Sequence, residues 1–97
     1  MHARVTIIQF QPGKIDEGNR IVKESVVPPM KNVKGFKGQL FLIDRNASKA
    51  VSVNLWESEA DLKAFETSPL YRELMGKIVG IITGPPTTER YEVSIQP

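Results

Sequence analysis

Apolar and polar positions alternate over four short runs of this chain and recur at helical spacing over two longer ones. Arg4–Phe10 (RVTIIQF) is β-branched and aromatic, and Pro12-Gly13 follows it. This predicts a first strand closed by a turn. Over Lys14–Val27, Ile15, Val22 and Val26 form a helical stripe that Ile21 widens. Asp16 and Glu17 lie in its first turn, where the helix dipole favours anions. Gly18 costs about 1 kcal/mol against Ala inside a helix, and it permits close contact with a sheet. Pro28-Pro29 predicts the end of the helix, because neither residue has a backbone donor.

After a connector over 30–35, Phe36–Ile43 (FKGQLFLI) reads as the second strand. Asp44–Lys49 (DRNASK) has turn chemistry, and Ala50–Trp56 (AVSVNLW) alternates as the third strand. The short polar link makes these two a hairpin. Ser58 can cap a second helix, with Asp61 in the place that Glu or Gln takes in a capping box. Leu62 and Phe65 give that helix its apolar face. Ser68 and Pro69 then restart it as N-cap and first helical residue. Leu70, Leu74 and Ile78 continue the stripe, with Met75, Val79 and Ile82 beside it, until Gly84-Pro85-Pro86. Arg90–Ile95 (RYEVSI) reads as the fourth strand, with Tyr91 expected to pack in the core.

The order strand, helix, strand, strand, helix, strand predicts an α+β, ferredoxin-like βαββαβ fold in a single domain over 1–97. Right-handed crossovers put both helices on one face of a four-stranded antiparallel sheet. Alternation sorts the strand residues into two sets. Val5, Ile7, Leu40, Leu42, Val51, Val53, Leu55, Tyr91, Val93 and Ile95 are uniformly apolar. Thr6, Ile8, Phe10, Phe41, Ile43, Ser52, Asn54, Trp56, Glu92 and Ser94 mix large apolar with polar groups. Either set would be a poor solvent face, and the pattern leaves open which one the helices cover. A monomer would expose an apolar patch. A two-fold homodimer with its sheets face to face, a dimeric α/β barrel, avoids this.

Composition removes several function classes. With no cysteine there is no disulfide framework and no thiolate chemistry. His2 is the one histidine and is expected to fray at the terminus, which argues against a His-based metal site or a Ser-His triad. Net charge is +2, and Lys31, Lys34 and Lys37 read as a solvated loop, so no nucleic-acid partner is expected. No apolar run reaches membrane-spanning length. The N-terminal residues enter a strand without a signal-peptide cleavage pattern, giving a cytoplasmic expectation.

Four segments carry a resemblance: Pro12-Gly13-Lys14, Lys34-Gly35-Phe36, the run from Leu55 to Leu62 (LWESEADL), and Ser68-Pro69-Leu70-Tyr71. Together they span most of the chain, and it resembles the antibiotic-biosynthesis-monooxygenase type of dimeric α+β barrel. Similar proteins include cofactor-independent oxygenases of phenols and quinols and haem-degrading enzymes. The resemblance implies that the substrate anion itself passes an electron to dioxygen, in a dry pocket where Asn, Trp, Tyr and Arg serve. Its counterparts in this chain would be Asn54 and Trp56 on the third strand and Tyr71 on the second helix as catalytic groups. Thr6, Phe41, Ser52, Phe65 and Met75 would line the substrate pocket. The places of the axial histidine and tryptophan of haem-degrading relatives hold Met75 and Phe65, so no haem, metal or other cofactor is expected. No histidine on the second helix offers a base that titrates near neutrality, and Glu92 would serve only if buried. Arg72 and Arg90 read most simply as surface charges. Two readings stand: an oxygenase of a small aromatic, phenolic or quinol-like compound, and a non-enzymatic dimeric barrel that binds a small apolar ligand or acts as an interaction module.

Overall fold

In the computed structural model, which describes residues 1–97, β1 (His2–Gln9) and β3 (Lys49–Trp56) lie side by side at the centre of one sheet. β2 (Phe36–Asp44) flanks β3 and β4 (Thr87–Glu92) flanks β1, giving the order β2-β3-β1-β4 with every pair antiparallel. This is the expected ferredoxin-like sheet. On one face lie α1 (Ile15–Ile21), a wide π turn (Val22–Val26) and α2 (Val27–Met30), then α3 (Glu59–Glu66) and α4 (Pro69–Gly76).

The mixed set of strand residues is the one the helices cover. Arg4, Thr6, Ile8 and Phe10 of the first strand and its extension are buried, as are Ala50, Ser52, Asn54 and Trp56 of β3. The uniformly apolar set faces away: Leu40, Leu42 and Tyr91 are exposed, and Val5, Ile7, Val51, Val53 and Leu55 are half-buried. Apolar packing under the helices divides into two groups. Ile8, Phe10, Ile15, Ala50 and Ile78 fill one end, and Met30, Trp56, Leu62, Phe65 and Leu74 fill the other.

Local chemistry explains the helix boundaries. Ser58 Oγ accepts the Asp61 backbone N–H at 3.1 Å and donates its own hydroxyl to the Asp61 carboxylate at 3.0 Å. The reciprocal bond thus uses the hydroxyl, because Asp is one methylene shorter than the Glu of a capping box. Ser68 caps α4 through the Tyr71 N–H at 3.3 Å and donates to the Phe65 carbonyl at 2.6 Å, joining α4 to α3. Gly18 is buried, and a Cβ there would sit 2.3 Å from the Phe10 ring. Gly35, at φ +83°, presses so closely on Asp61 that a Cβ would meet its carboxylate.

Four expectations are corrected. Pro28-Pro29 does not end the helical path. Both residues sit in the first turn of α2, where backbone N–H groups have no intrahelical partner to lose, and the π turn before them absorbs the mismatch. β4 begins earlier than Arg90 and ends at Glu92, because it pairs with β1 from Ile7↔Thr87 to His2↔Glu92. Beyond that only Val93 N–H reaches back, to the Met1 carbonyl, and Ile95 is exposed. Tyr91 is likewise exposed rather than in the core. His2 is not frayed: it pairs in the sheet with Trp56 and Glu92, and its Nε2 lies 3.3 Å from the Glu59 carboxylate.

Candidate functional site

The middle of the covered sheet face carries small and polar residues where both ends carry large apolar ones. Strand register places Phe41, Ser52 and Thr6 in one row and Gln39, Asn54 and Arg4 in the next. Short side chains in these rows cannot reach the helices, so a cavity of about 60 Å³ remains between the two apolar groups. Val22, Val26 and Met30 roof it from the α1–α2 side, and Phe65, Tyr71, Leu74, Met75 and Ile78 from the α3–α4 side. The volume admits a few waters or dioxygen. An aromatic guest needs roughly the 150 Å³ of an engineered benzene-binding cavity, so wall residues must yield. Met30 and Met75, unbranched and flexible, are the ones suited to do so.

Polar groups converge at one end. Arg4 is 4% exposed. Its Nε donates to Glu66 Oε2 at 2.8 Å, Nη1 to Thr6 Oγ1 at 2.9 Å and Nη2 to the Tyr71 hydroxyl at 2.7 Å. The guanidinium carbon also stands 4.8 Å from the Tyr71 ring centre. Glu66 accepts in addition from Arg90 Nε and Nη2, the latter at 2.7 Å. Burial pushes the Glu66 carboxyl up, but the hydrogen bonds from Arg90 and Arg4 outweigh it and hold the group below its ordinary value of 4.5. Because Tyr71 and Thr6 accept from Arg4, each keeps its own O–H free to donate. On the far side Gln39 Nε2 donates to Ser52 Oγ at 3.1 Å, leaving Gln39 Oε1 buried without a partner.

Asn54 stands between these groups. It is 5% exposed, it borders the cavity, and its side-chain amide has no hydrogen-bond partner within the chain while staying open to the cavity space. A buried amide left this way has strong reason to bond whatever fills the cavity.

Seven of the eight residues singled out from sequence border this one cavity: Asn54, Tyr71, Thr6, Phe41, Ser52, Phe65 and Met75. Trp56 lies outside it. Its fully buried ring stacks on Phe65 at 5.0 Å and meets the Phe36 ring edge-on at 5.7 Å, so it supports the wall from behind. Its Nε1 is buried without a partner. Glu92 is exposed, on the edge strand away from the cavity. Arg90 is exposed too, but it is part of the Glu66 cluster rather than a free surface charge. Arg4 and Gln39 were missed. The signal for Arg4 was its place at i−2 and i−4 from Thr6 and Ile8 on the same strand face. No group of three or more His, Cys, Asp or Glu residues is placed to hold a metal ion, and no helix is long and apolar enough to cross a membrane.

Comparison with known proteins adds the family. The family model for antibiotic biosynthesis monooxygenase matches residues 1–77. An uncharacterised protein of Mycobacterium tuberculosis is 28% identical over 96 residues, which is 97% of this chain and 41% of that protein. This chain therefore spans less than half the length of that relative. Among solved structures, a monooxygenase of Streptomyces coelicolor in complex with nanaomycin D superposes with a TM-score of 0.83 at 20% identity, covering 99% of this chain and 91% of that one. A Nitrosomonas europaea protein of unknown function gives 0.83 at 17% identity, covering 99% and 91%. At such identities the structural likeness speaks for the fold. The family model covers well over half of the residues, and on that ground the chain belongs to the antibiotic biosynthesis monooxygenase family.

Proposed function

We propose that this protein is a cofactor-independent monooxygenase of a small aromatic, phenolic or quinol-like compound, and that it acts in the cavity between sheet and helices. The observation that carries this reading is the unpartnered Asn54 amide in a mainly apolar cavity, beside the Arg4–Tyr71–Thr6 cluster. A phenol and dioxygen give a quinone and water with atoms and electrons in balance: the substrate loses four electrons, dioxygen gains them, and no external reductant enters. The protein's task is then to exclude water and to stabilise charge on oxygen.

Asn54 hydrogen-bonds the substrate oxygen or a peroxide formed on the ring, and the free Tyr71 O–H donates a second bond. Thr6 and Ser52 complete the polar floor. Phe41, Phe65 and Met75 hold the ring, and Trp56 keeps Phe65 in place. The Streptomyces coelicolor protein of the same fold, a monooxygenase in complex with nanaomycin D, supports reading the cavity as a small-ligand site. Two copies paired through the open apolar sheet face form the functional unit in this reading, and a cytoplasmic location suits a chain without cysteine.

Oxygen uptake with a panel of quinols and polyphenols tests the proposal. Turnover above heat-killed protein is expected on at least one compound, with Asn54→Ala slower by about a hundredfold, the usual cost of one donor to a developing oxyanion. An unchanged rate in Asn54→Ala overturns the mechanism. One observation favours a second reading, a small-ligand binder without catalysis: no residue lining the cavity is a His, Asp, Glu, Cys or Lys. No uptake with any compound, together with ligand binding, would decide for it.

A further inference from the structure

Charge at the polar end of the cavity does not balance. Arg4 and Arg90 are both cations, and Glu66 is the one carboxylate within ion-pair distance of either. Arg4 is the deeply buried partner, with a side chain 5% exposed, whereas Arg90 reaches solvent. Arg4 is also the only charged residue that borders the cavity. Of its five N–H donors, three are engaged, by Glu66, Thr6 and Tyr71. The remaining two have no partner in the chain. A surplus positive charge with unused donors, next to an apolar space, is costly unless something answers it.

We propose that the cavity selects an aromatic anion and that Arg4 sets this selectivity by taking the ligand's negatively charged oxygen, carboxylate or phenolate, on its unused N–H groups. This rests on reading the cavity as a ligand site, and it narrows the substrate class to molecules that are charged when bound. The neighbours suit the task. Thr6 and Tyr71 fix the guanidinium by accepting from it, so its fork is held in one orientation, and planar guanidinium groups bind carboxylates through paired N–H bonds. Glu66 cancels only part of the field, because Arg90 shares it. The apolar remainder, with Phe41 and Phe65, takes the ring.

Calorimetric titration of salicylate and of salicylamide, nearly the same shape but neutral, tests this without reference to turnover. Wild type is expected to bind salicylate about tenfold more tightly, the effect of a charge-assisted hydrogen bond. Arg4→Met should abolish the preference and Arg4→Lys should retain part of it. If Arg4→Met fails to fold, Arg90→Gln decides: it leaves Glu66 to Arg4 alone, removes the surplus charge, and should shrink the preference while salicylamide binding stays the same. Equal affinity for the two compounds, no binding of salicylate to wild type, or an unchanged preference in Arg90→Gln overturns the inference. A protein that prefers salicylate and consumes no dioxygen keeps it and loses the oxygenase reading instead.

Discussion

Arg4 and Glu66 show how a single buried ion pair shapes a site. Glu66 sits 62 positions from Arg4, on α3, and no local pattern links them. A charged residue at the start of a strand reads as solvent-facing; only the tertiary structure reveals that it turns inward to a carboxylate. The pair has a stability consequence. Glu66 is held below its ordinary 4.5, so its contribution is fully present above that pH and is lost as pH falls below it toward the folded-state value. Glu66→Gln should cost about 3 kcal/mol at neutral pH, because Arg4 then lacks its countercharge. The gap between wild type and variant should narrow in denaturant titrations below pH 4.5. A gap that is constant with pH would show that the pair contributes no charge-dependent stability. Asn54 was more legible: an amide inside a strand is uncommon enough to draw notice from sequence. Trp56 misled, since a ring of that size can equally serve a wall or the core behind it.

Elements were read more reliably than their edges. Both serine caps were visible in the sequence, and each contributes about 1 kcal/mol, so Ser58→Ala and Ser68→Ala should each lower the unfolding midpoint by that equivalent. Gly18 weighs two opposing effects. Ala is better by about 1 kcal/mol in a helix interior. Against that, the new Cβ would overlap the Phe10 ring, which is itself fully buried and has nowhere to go. Overpacking of this kind costs about 1–3 kcal/mol, so Gly18→Ala should destabilise on balance. A more stable variant in thermal unfolding would mean that α1 can lift off the sheet. The prolines at 28 and 29 and the start of β4 were misread for related reasons. A proline stops a helix only where its missing donor is needed, and a strand extends only as far as a neighbour pairs with it. Thr87 and Thr88 are polar but β-branched, which suits a strand that the apolar pattern alone does not reveal.

On the scale of the whole molecule, the covered face is the more polar one and the open face is the apolar one. Leu40 and Leu42, 61% and 51% exposed, lie beside Val51, Val53 and Leu55, and the charges on this face stand at its margins, Glu89 opposite Val5 and Asp44 opposite Lys49. A second copy of the chain is the expected cover. Sedimentation at micromolar concentration should give a dimer, and Leu40→Glu with Leu42→Glu should give a monomer, because two carboxylates per subunit would be buried in the apolar interface. A wild-type monomer would overturn the face-to-face pairing.

The sequence by itself determined the order of elements, their caps, the antiparallel sheet, the family and seven of the fifteen residues that border the cavity. These follow from periodicity and from chemistry between near neighbours along the chain. Only the tertiary structure decided which sheet face the helices cover, where β4 begins, and that Arg4 rather than Trp56 meets the cavity. Those outcomes depend on strand register and on pairs far apart in sequence. There the energy of one buried charge or one paired edge outweighs what any local stretch of residues prefers.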